Sequence, residues 1–176
     1  MNNVRTQNAS AYQALKDEFG YTNKMQAPRL MKAVITTGIG KIKDKKKIEI
    51  IEDRLAKITG QKAAPRGAKK SIASFKVRQG DVVGYQVTLR GGRMYDFLEK
   101  LLHIAFPRTR DFRGVSAKAI DSLGNITLGI KENTIFPECS DEDLKDVFGL
   151  AVTIVTTAKN KKEAEAFFRH IGVPLQ

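Results

Sequence analysis

The sequence predicts an α+β fold, in which helices pack on one face of an antiparallel or mixed β-sheet and leave the other face open. Two observations carry this prediction. Segments with an apolar residue every three or four positions alternate, in runs, with segments in which every second residue is apolar. Two hairpin-like stretches also lie in the middle of the chain, an order typical of a sheet with helices on one face.

The first third of the chain predicts two helices and a strand. Apolar residues recur at helical spacing from 8 to 19, and Gly20 is placed to end that helix. The segment RLMKAVITTGIG is rich in β-branched residues and predicts a strand closed by two glycines. From 45 to 59 apolar residues again recur at helical spacing, and Gly60 follows as a C-cap, so this stretch predicts an amphipathic helix.

The middle of the chain predicts a strand followed by the main core helix. Alternation from 82 to 90 indicates a half-buried strand whose polar face carries Gln86, Thr88 and Arg90. A pair of glycines ends this strand. The next segment, RMYDFLEKLLHIAF, places its apolar residues on one helical stripe and stops at Pro107.

The last third predicts two strands, at 125–130 and 150–157, and a final helix at 161–171. Between the strands, FPECSDEDLKDVF predicts a further helix, because Ser140 precedes Asp143 as an N-cap precedes an acid of the first turn. The carboxylates of this region are either a solvated helix start or a face for a basic partner protein. They are Glu132, Glu138, Asp141, Glu142, Asp143 and Asp146.

The composition predicts one domain that spans residues 1–176. Hydrophobic residues make up 41% of the 176 positions, which is enough for one compact core. A single cysteine, Cys139, excludes an internal disulfide, and with His103 and His170 it forms no metal site of recognised spacing. We therefore expect no metal and no cofactor.

The charge predicts a polyanionic partner, because the formal net charge is +12 and the sequence pI is about 9.9. A membrane is the less favoured partner. No apolar run approaches the roughly 20 residues of a transmembrane helix, and the N-terminal residues MNNVRTQNAS lack the apolar stretch of a signal peptide. We expect a cytoplasmic protein that binds nucleic acid and no membrane.

The strongest local feature is the stretch ITGQKAAPRGAKKSIASFKVRQG, residues 58–80, which we call the basic segment. It contains six lysines and arginines and no Asp or Glu. Small residues separate the cations, so the backbone can approach a phosphate and its amides can donate beside the side chains. The alternative is a solvated loop that touches nothing. The one-sided charge favours RNA.

The polar face of the predicted sheet indicates how RNA would be contacted. Its strands offer Thr, Gln and Arg side chains, with Tyr85 as their one aromatic residue. Base stacking is therefore not expected to dominate. Hydroxyl, amide and guanidinium groups suit ribose and phosphate contacts on a structured RNA helix.

The run PRTRDFRG, residues 107–114, has two interpretations. Its arginines Arg108, Arg110 and Arg113 can bind phosphates. Alternatively, Asp111 pairs with a neighbouring arginine and Phe112 anchors the loop in the core.

An enzyme that processes RNA or nucleotides is the competing hypothesis. A phosphate-binding loop needs wider glycine spacing and a Ser or Thr after its Lys, whereas here Gly38, Gly40 and Lys41 are followed by Ile42. No paired carboxylates, activated thiol or metal-binding set occurs at useful spacing, so we expect no catalysis.

Seven segments, in this order, resemble one known family: PRLMKAVITTGIG, the basic segment, VTLRGGRMYDFLEKLL, PRTRDFRG, GNITLGIKE, IFPE and AVTIVTTA. The family is the bacterial type of large-subunit ribosomal protein five, which binds 5S rRNA. The resemblance covers nearly the whole chain. It implies an α+β fold that holds 5S rRNA in the central protuberance of the large subunit. It also implies contacts with 23S rRNA, with the P-site tRNA and with small-subunit protein thirteen in an intersubunit bridge.

The resemblance also implies site residues. Thr36 and Thr37 stand where the family usually has Asn before the first glycine of the turn that ends the strand. The residues matched to rRNA contacts are Thr36, Gln61, Lys62, Lys69, Lys70, Ser71, Thr88 and Arg90. Those matched to the loop that reaches tRNA are Phe75, Lys76, Val77, Arg78, Gln79 and Gly80.

Overall fold

The computed structural model describes residues 3–42, 44–110, 112–139 and 147–176. Within these ranges the chain forms four α-helices and five β-strands. The helices are α1 (Val4–Phe19), α2 (Lys45–Thr59), α3 (Gly91–Lys100) and α4 (Lys161–Ile171). The strands are β1 (Leu30–Gly38), β2 (Ala64–Gly67), β3 (Val82–Leu89), β4 (Ile126–Ile130) and β5 (Leu150–Thr156).

The five strands form one antiparallel sheet in the order β2-β3-β1-β5-β4. Burial alternates along the strands, as the sequence pattern predicts. In β5, for example, Leu150, Val152 and Ile154 are buried, whereas Ala151 and Thr153 between them are partly exposed. Each strand with this pattern gives one face to the core and one to solvent. The α+β prediction is confirmed.

The chain divides into two compact units, each built from separate stretches of sequence. The first unit contains Met1–Ala33, Leu89–Leu128 and Thr153–Gln176. The second unit contains Val34–Thr88 and Gly129–Val152. The single domain expected from composition stays a prediction.

In the first unit, α1 packs against α3 and α4. In the same unit, the hydroxyl of Tyr21 donates a hydrogen bond to the buried carboxylate of Glu163, which also accepts the backbone N–H of Lys159 at 2.7 Å. Burial raises the pKa of Tyr21 well above its ordinary value. The hydrogen bond to Glu163 and the negative charges of Glu163 and Glu18 raise this pKa further.

In the second unit, α2 buries one stripe, formed by Ile51, Leu55 and Ile58. The helix packs against a short 3₁₀ turn, Pro137–Cys139. On β3, the buried Tyr85 lies near Glu52 of α2. Burial raises the pKa of Tyr85, and hydrogen bonding to Glu52 and the negative charges of Glu52 and Glu49 raise it further.

Most predicted elements are observed close to their predicted bounds. Helices α2 and α4 have the limits that the pattern gave, and α1 begins four residues early because the Asn3 side chain accepts the Arg5 N–H at 2.8 Å as an N-cap. The core helix changes character, since α3 ends at Lys100 and a π-helical turn, Leu101–Ala105, completes it.

Two segments do not follow the predicted pattern. One is strand β2, which the sequence does not predict because its residues, APRG, include a proline and a glycine. The helix predicted in FPECSDEDLKDVF falls mainly on residues 140–146. These residues, which include Ser140 and Asp143, lie outside the described part of the chain. Before them, Glu132 and Glu138 of the acidic cluster are exposed.

Replacing Tyr21 with Phe tests the buried pair of the first unit. Y21F leaves the Glu163 carboxylate with one donor fewer, and we expect a loss of about 1–3 kcal/mol in the free energy of unfolding at pH 7. Because the folded state raises the pKa of Tyr21, this contribution is fully present below the unfolded pKa of about 10 and is lost as pH rises above it. Denaturant titrations from pH 7 to 11 should show the gap between wild type and Y21F narrowing. A gap that widens above pH 10 would contradict the assignment.

Candidate nucleic-acid interface

The basic segment leaves α2 through a fixed turn. Gly60 adopts the left-handed conformation with φ 67°, and its N–H donates to the Ala56 carbonyl. The buried Thr59 hydroxyl lies 2.7 Å from the Leu55 carbonyl and 3.0 Å from the Gln61 carbonyl, so it can donate to either. These bonds hold the backbone of Gln61, whose side chain is half-buried, next to the exposed Lys62.

The segment then forms β2, which is the edge strand of the sheet. It pairs antiparallel with β3 in the register Ala64 with Gln86, Pro65 with Tyr85 and Arg66 with Gly84. Residues paired in this way share a face of the sheet. Arg66 therefore lies on the face opposite the buried Tyr85, across from a glycine that leaves room for its side chain.

Beyond β2, residues 68–81 form an ordered hairpin rather than a free loop. At the neck of the hairpin, the Ala68 N–H donates to the Asp81 carbonyl at 2.8 Å, and the Gly80 N–H donates to the Ala68 carbonyl at 3.0 Å. Further out, Ile72 and Val77 exchange two backbone hydrogen bonds, of 2.9 and 3.2 Å. The basic segment is thus held by main-chain hydrogen bonds on both sides.

Side chains add two further bonds to this hairpin. The Ser71 hydroxyl accepts the Gln79 N–H at 3.0 Å, and the Asp81 carboxylate accepts the Arg78 N–H at 2.8 Å. Asp81 is therefore a structural acceptor at the base of the loop. Ser71 accepts this bond and still has its own proton to donate.

The tip of the hairpin is a 3₁₀ turn, Ala73–Phe75, followed by Lys76 with φ 52°. Among the described residues, Lys76 is the one non-glycine with a positive φ. This left-handed conformation carries a small steric cost that the hairpin must offset. At the same tip, Phe75 is 74% exposed. The turn therefore presents an aromatic ring and a lysine side by side to solvent.

The cations of the basic segment are not neutralised within the described part of the chain. There, no carboxylate lies within ion-pair distance of the exposed side chains Arg66, Lys69, Lys70, Lys76 and Arg78. Lys62 lies 3.9 Å from Glu52, but its side chain is 87% exposed, and such a long, solvated pair contributes little. The whole array is available to an external anion.

In the second unit, β1 and β3 present polar side chains opposite their buried faces. Thr36, Gln86 and Thr88 are half-buried on this open face. Thr37 points the other way, is 4% exposed, and donates its hydroxyl proton to the Gly149 carbonyl at 2.8 Å. Of these two consecutive threonines, Thr37 is buried and bonded within the protein, whereas Thr36 faces outward.

Thr36 lies on a shallow cleft of about 410 Å³. Three glycines line this cleft. Because they have no side chains, a ligand in the cleft can approach the backbone. The cleft is lined by Thr36, Gly38, Gly129, Ile130, Lys131, Gly149, Leu150 and Ala151.

The structure places the sequence-predicted residues as follows. All of those expected to contact rRNA or tRNA lie in the second unit, except Arg90, which is the exposed N-cap residue of α3 in the first unit. Val77 is half-buried, and the other residues of the tRNA-loop prediction are exposed. Two side chains on the same surface were not on the predicted list, Arg66 and Gln86. Gln86 belongs to the polar face that the alternation predicts, and Arg66 is one of the six cations of the basic segment. The pairing of β2 adds the face of the sheet on which Arg66 lies.

Among residues 3–42, 44–110, 112–139 and 147–176, no group of three or more His, Cys, Asp or Glu side chains could hold a metal ion. No helix in this part of the chain is long and apolar enough to cross a membrane. The observed geometry is that of a basic α+β protein with a polar open sheet face and a cationic hairpin. A basic protein with these features is typical of the class that binds nucleic acid.

Comparison with known proteins specifies the class further. A family model described as ribosomal protein L5 matches residues 23–78, and a second model, which describes the C-terminus of the same ribosomal protein family, matches residues 82–175. The large ribosomal subunit protein uL5 of Anaeromyxobacter sp. (strain K) is 50% identical over 163 residues, which cover 92% of this chain and 91% of that protein.

Two further relatives carry the same name. The uL5 protein of Trichlorobacter lovleyi is 51% identical over 165 residues, 93% of this chain and 92% of its own length. That of Flavobacterium johnsoniae is 49% identical over 164 residues, 93% of this chain and 90% of its own length. The chain belongs to the ribosomal protein L5 family. It is a structural constituent of the large ribosomal subunit and not an enzyme.

Replacing Gly84 with Ala tests the close approach of β3 to β1. A Cβ at Gly84 would lie 2.7 Å from the Thr37 carbonyl oxygen, so the two backbones must separate, and we expect a loss of about 1–3 kcal/mol in unfolding free energy. Gly38→Ala is the matched control, because a Cβ there meets nothing within 4 Å. Thermal or urea unfolding of the two variants measures the difference. Equal stability of G84A and G38A would show that the strands do not meet so closely.

Proposed function

We propose that this protein binds 5S rRNA in the central protuberance of the large subunit, through the basic segment and the open face of the second unit. Membership of the ribosomal protein L5 family supports the location in the large ribosomal subunit. The single observation that carries the proposal is the ordered hairpin 68–81, whose cations have no ion-pair partner in the described part of the chain.

Order in the hairpin matters for affinity. A flexible basic loop loses conformational entropy when it binds, whereas this one is already closed by backbone bonds at its neck and at Ile72 and Val77. The attraction of Lys69 and Lys70 for phosphates is therefore less offset by ordering of the chain. Lysine supplies charge at long range, and arginine adds a planar fork that matches a phosphate.

The open face, together with Gln61 in the turn after α2, supplies recognition of shape. Hydroxyl and amide groups at Thr36, Gln61 and Thr88 can donate to and accept from a ribose 2′-hydroxyl, the group that distinguishes RNA from DNA. The glycine-floored cleft beside Thr36 allows the RNA backbone to approach the sheet. Arg66 and Gln86 extend this surface along β2 and β3. Lys62 and Ser71 complete the rRNA contacts in the second unit, and Arg90 adds one from the first unit.

The tip of the hairpin has a separate role in the proposal. Residues 75–80 contact the P-site tRNA, with the exposed ring of Phe75 available for stacking and Lys76 and Arg78 available for phosphates. The further partners in the proposal are 23S rRNA and, in an intersubunit bridge, small-subunit protein thirteen. The site of action is the cytoplasmic ribosome.

Replacing Lys69 and Lys70 together with Ala tests the 5S rRNA site. We expect the affinity for 5S rRNA to fall roughly 10- to 100-fold near 0.1 M salt, and the salt slope to fall by about 1.4–1.8, because each lost phosphate contact removes about 0.7–0.9. Filter binding across a salt series measures both quantities. The thermal unfolding curve should not change, since both side chains are exposed.

The matched control for this pair is K161A/K162A, which removes the same charge from exposed residues of α4. The control should change the affinity far less. Wild-type binding that is flat in salt, or equal losses in the two double variants, would refute specific phosphate contacts by Lys69 and Lys70.

Replacing Arg78 with Ala separates the tip from the rest of the interface. The Arg78 N–H that holds Asp81 belongs to the backbone and remains, so the hairpin should keep its fold. We expect unchanged binding to 5S rRNA and weaker tRNA binding in the P site of ribosomes that carry the variant, measured with labelled tRNA. Arg5→Ala, at an exposed arginine of the first unit, is the control. A loss of 5S rRNA binding in R78A would contradict the division of roles.

A further inference from the structure

The first unit has a pocket of its own, between α1 and the segment that leads into β1. Its volume is about 180 Å³. Tyr12 of α1 lines it on one side, and Met25 and Pro28 line it on the other. Two cations, Lys24 and Arg29, belong to the same lining. We call this cavity the N-terminal pocket, and the proposed function does not use it.

Hydrogen bonds hold both sides of the N-terminal pocket in place. The Asn8 side chain accepts the Leu30 N–H at 2.9 Å and donates to the Tyr95 hydroxyl at 3.1 Å. These two bonds tie α1 to the start of β1 and to α3. On the opposite side, the Asn23 side chain accepts the Met25 N–H at 2.9 Å and so begins the 3₁₀ turn that carries Met25. The pocket is therefore pre-formed, which lowers the entropic cost of binding.

The size of the N-terminal pocket suits one planar group of a larger molecule. Pockets for whole small ligands usually measure about 300–1,000 Å³, which is well above the volume found here. Tyr12 is half-buried and Met25 is 73% exposed, so both side chains are open to a ligand. An aromatic ring and a polarizable thioether both pack well against the face of an aromatic base. A single unstacked nucleobase meets these conditions.

The charge around the N-terminal pocket favours an anionic polymer. Lys24 and Arg29 are exposed, and the Nζ of Lys16 lies 5.9 Å from the centroid of the Tyr12 ring. Within the described ranges, no carboxylate lies at ion-pair distance from any of these three cations. Protein–protein interfaces are depleted of lysine. Cations beside an aromatic platform are instead typical of a site for single-stranded nucleic acid.

We propose that the N-terminal pocket binds one unpaired nucleotide of ribosomal RNA. Its base packs between Tyr12 and Met25, and the flanking phosphates bind Lys24 and Arg29. The inference needs a protein of the large ribosomal subunit, but it does not need the proposed 5S rRNA site, because the basic segment lies in the other compact unit. An unpaired nucleotide can belong to 5S or to 23S rRNA, so the two RNAs are separate arms of the test.

The test measures binding of the full chain to deproteinised 5S rRNA and, separately, to deproteinised 23S rRNA. Met25→Ala removes the thioether without changing the charge, and we expect the affinity for one of the two RNAs to fall about 10-fold. Tyr12→Leu should have a similar effect, whereas Tyr12→Phe keeps the ring and should bind like wild type. Leu123→Ala is the matched control, because Leu123 is 70% exposed in the same unit and lies outside the pocket.

The charges of the N-terminal pocket are tested with the double variant K24Q/R29Q. Loss of two phosphate contacts should lower the salt slope for the same RNA by about 1.4–1.8. R5Q/K118Q removes the same charge from exposed residues of the first unit and should change the slope far less. Chemical probing of the RNA gives an independent readout. An unpaired base that the wild-type chain protects should become reactive with M25A and stay protected with L123A.

Wild-type affinity of M25A and Y12L for both RNAs would overturn the proposal. A loss confined to K24Q/R29Q would also overturn it, because charge without a base-binding slot would then be sufficient. Unchanged RNA binding, together with lost binding of another purified protein of the large subunit, would replace the nucleotide with a protein partner. The variant K69A/K70A tests the hairpin of the second unit, so failure of the proposed 5S rRNA site is recognised separately.

Discussion

The backbone hydrogen bonds that close the hairpin 68–81 are the interaction on which the candidate interface depends. Six cations lie in the basic segment, and like charges repel one another, so an unpaired chain there would spread apart in water. The bonds between Ala68 and residues 80 and 81, and those between Ile72 and Val77, hold the segment together in spite of this repulsion. The Asp81 carboxylate binds the Arg78 N–H within the same region. The one acid adjoining the segment therefore serves the fold of the loop.

Most of the fold follows from patterns that are local in sequence. The stripe of α2, its left-handed Gly60 and the alternation in β5 each depend on residues within one element, and each is visible in the chain. Strand β2 is different. Its residues include Pro65 and Gly67, which disfavour a strand, and it exists because β3 offers a ladder at the edge of the sheet. Tertiary pairing decides such a segment, and local propensity does not.

The candidate site shows the same division. The charge of the basic segment and the polar alternation of β3 are properties of the sequence, and they lead to Lys69, Lys70 and Thr88. Arg66 gains its position from the register with Gly84, which no pattern within the segment reveals. The resemblance selects Thr36, but composition and local propensity do not distinguish the outward Thr36 from the inward Thr37, whose hydroxyl donates to the Gly149 carbonyl. Such differences come from contacts between stretches that are far apart in the chain.

Pro65 has a consequence for the protein before it meets any partner. An edge strand offers free N–H and C=O groups to which a second copy could add its own strand, and this is a common route to aggregation. Proline lacks an N–H and so interrupts that template on β2. The strand is also only four residues long and ends next to a hairpin of like charges, which repels an identical chain. These features disfavour aggregation of newly synthesised copies before they are incorporated into the large ribosomal subunit.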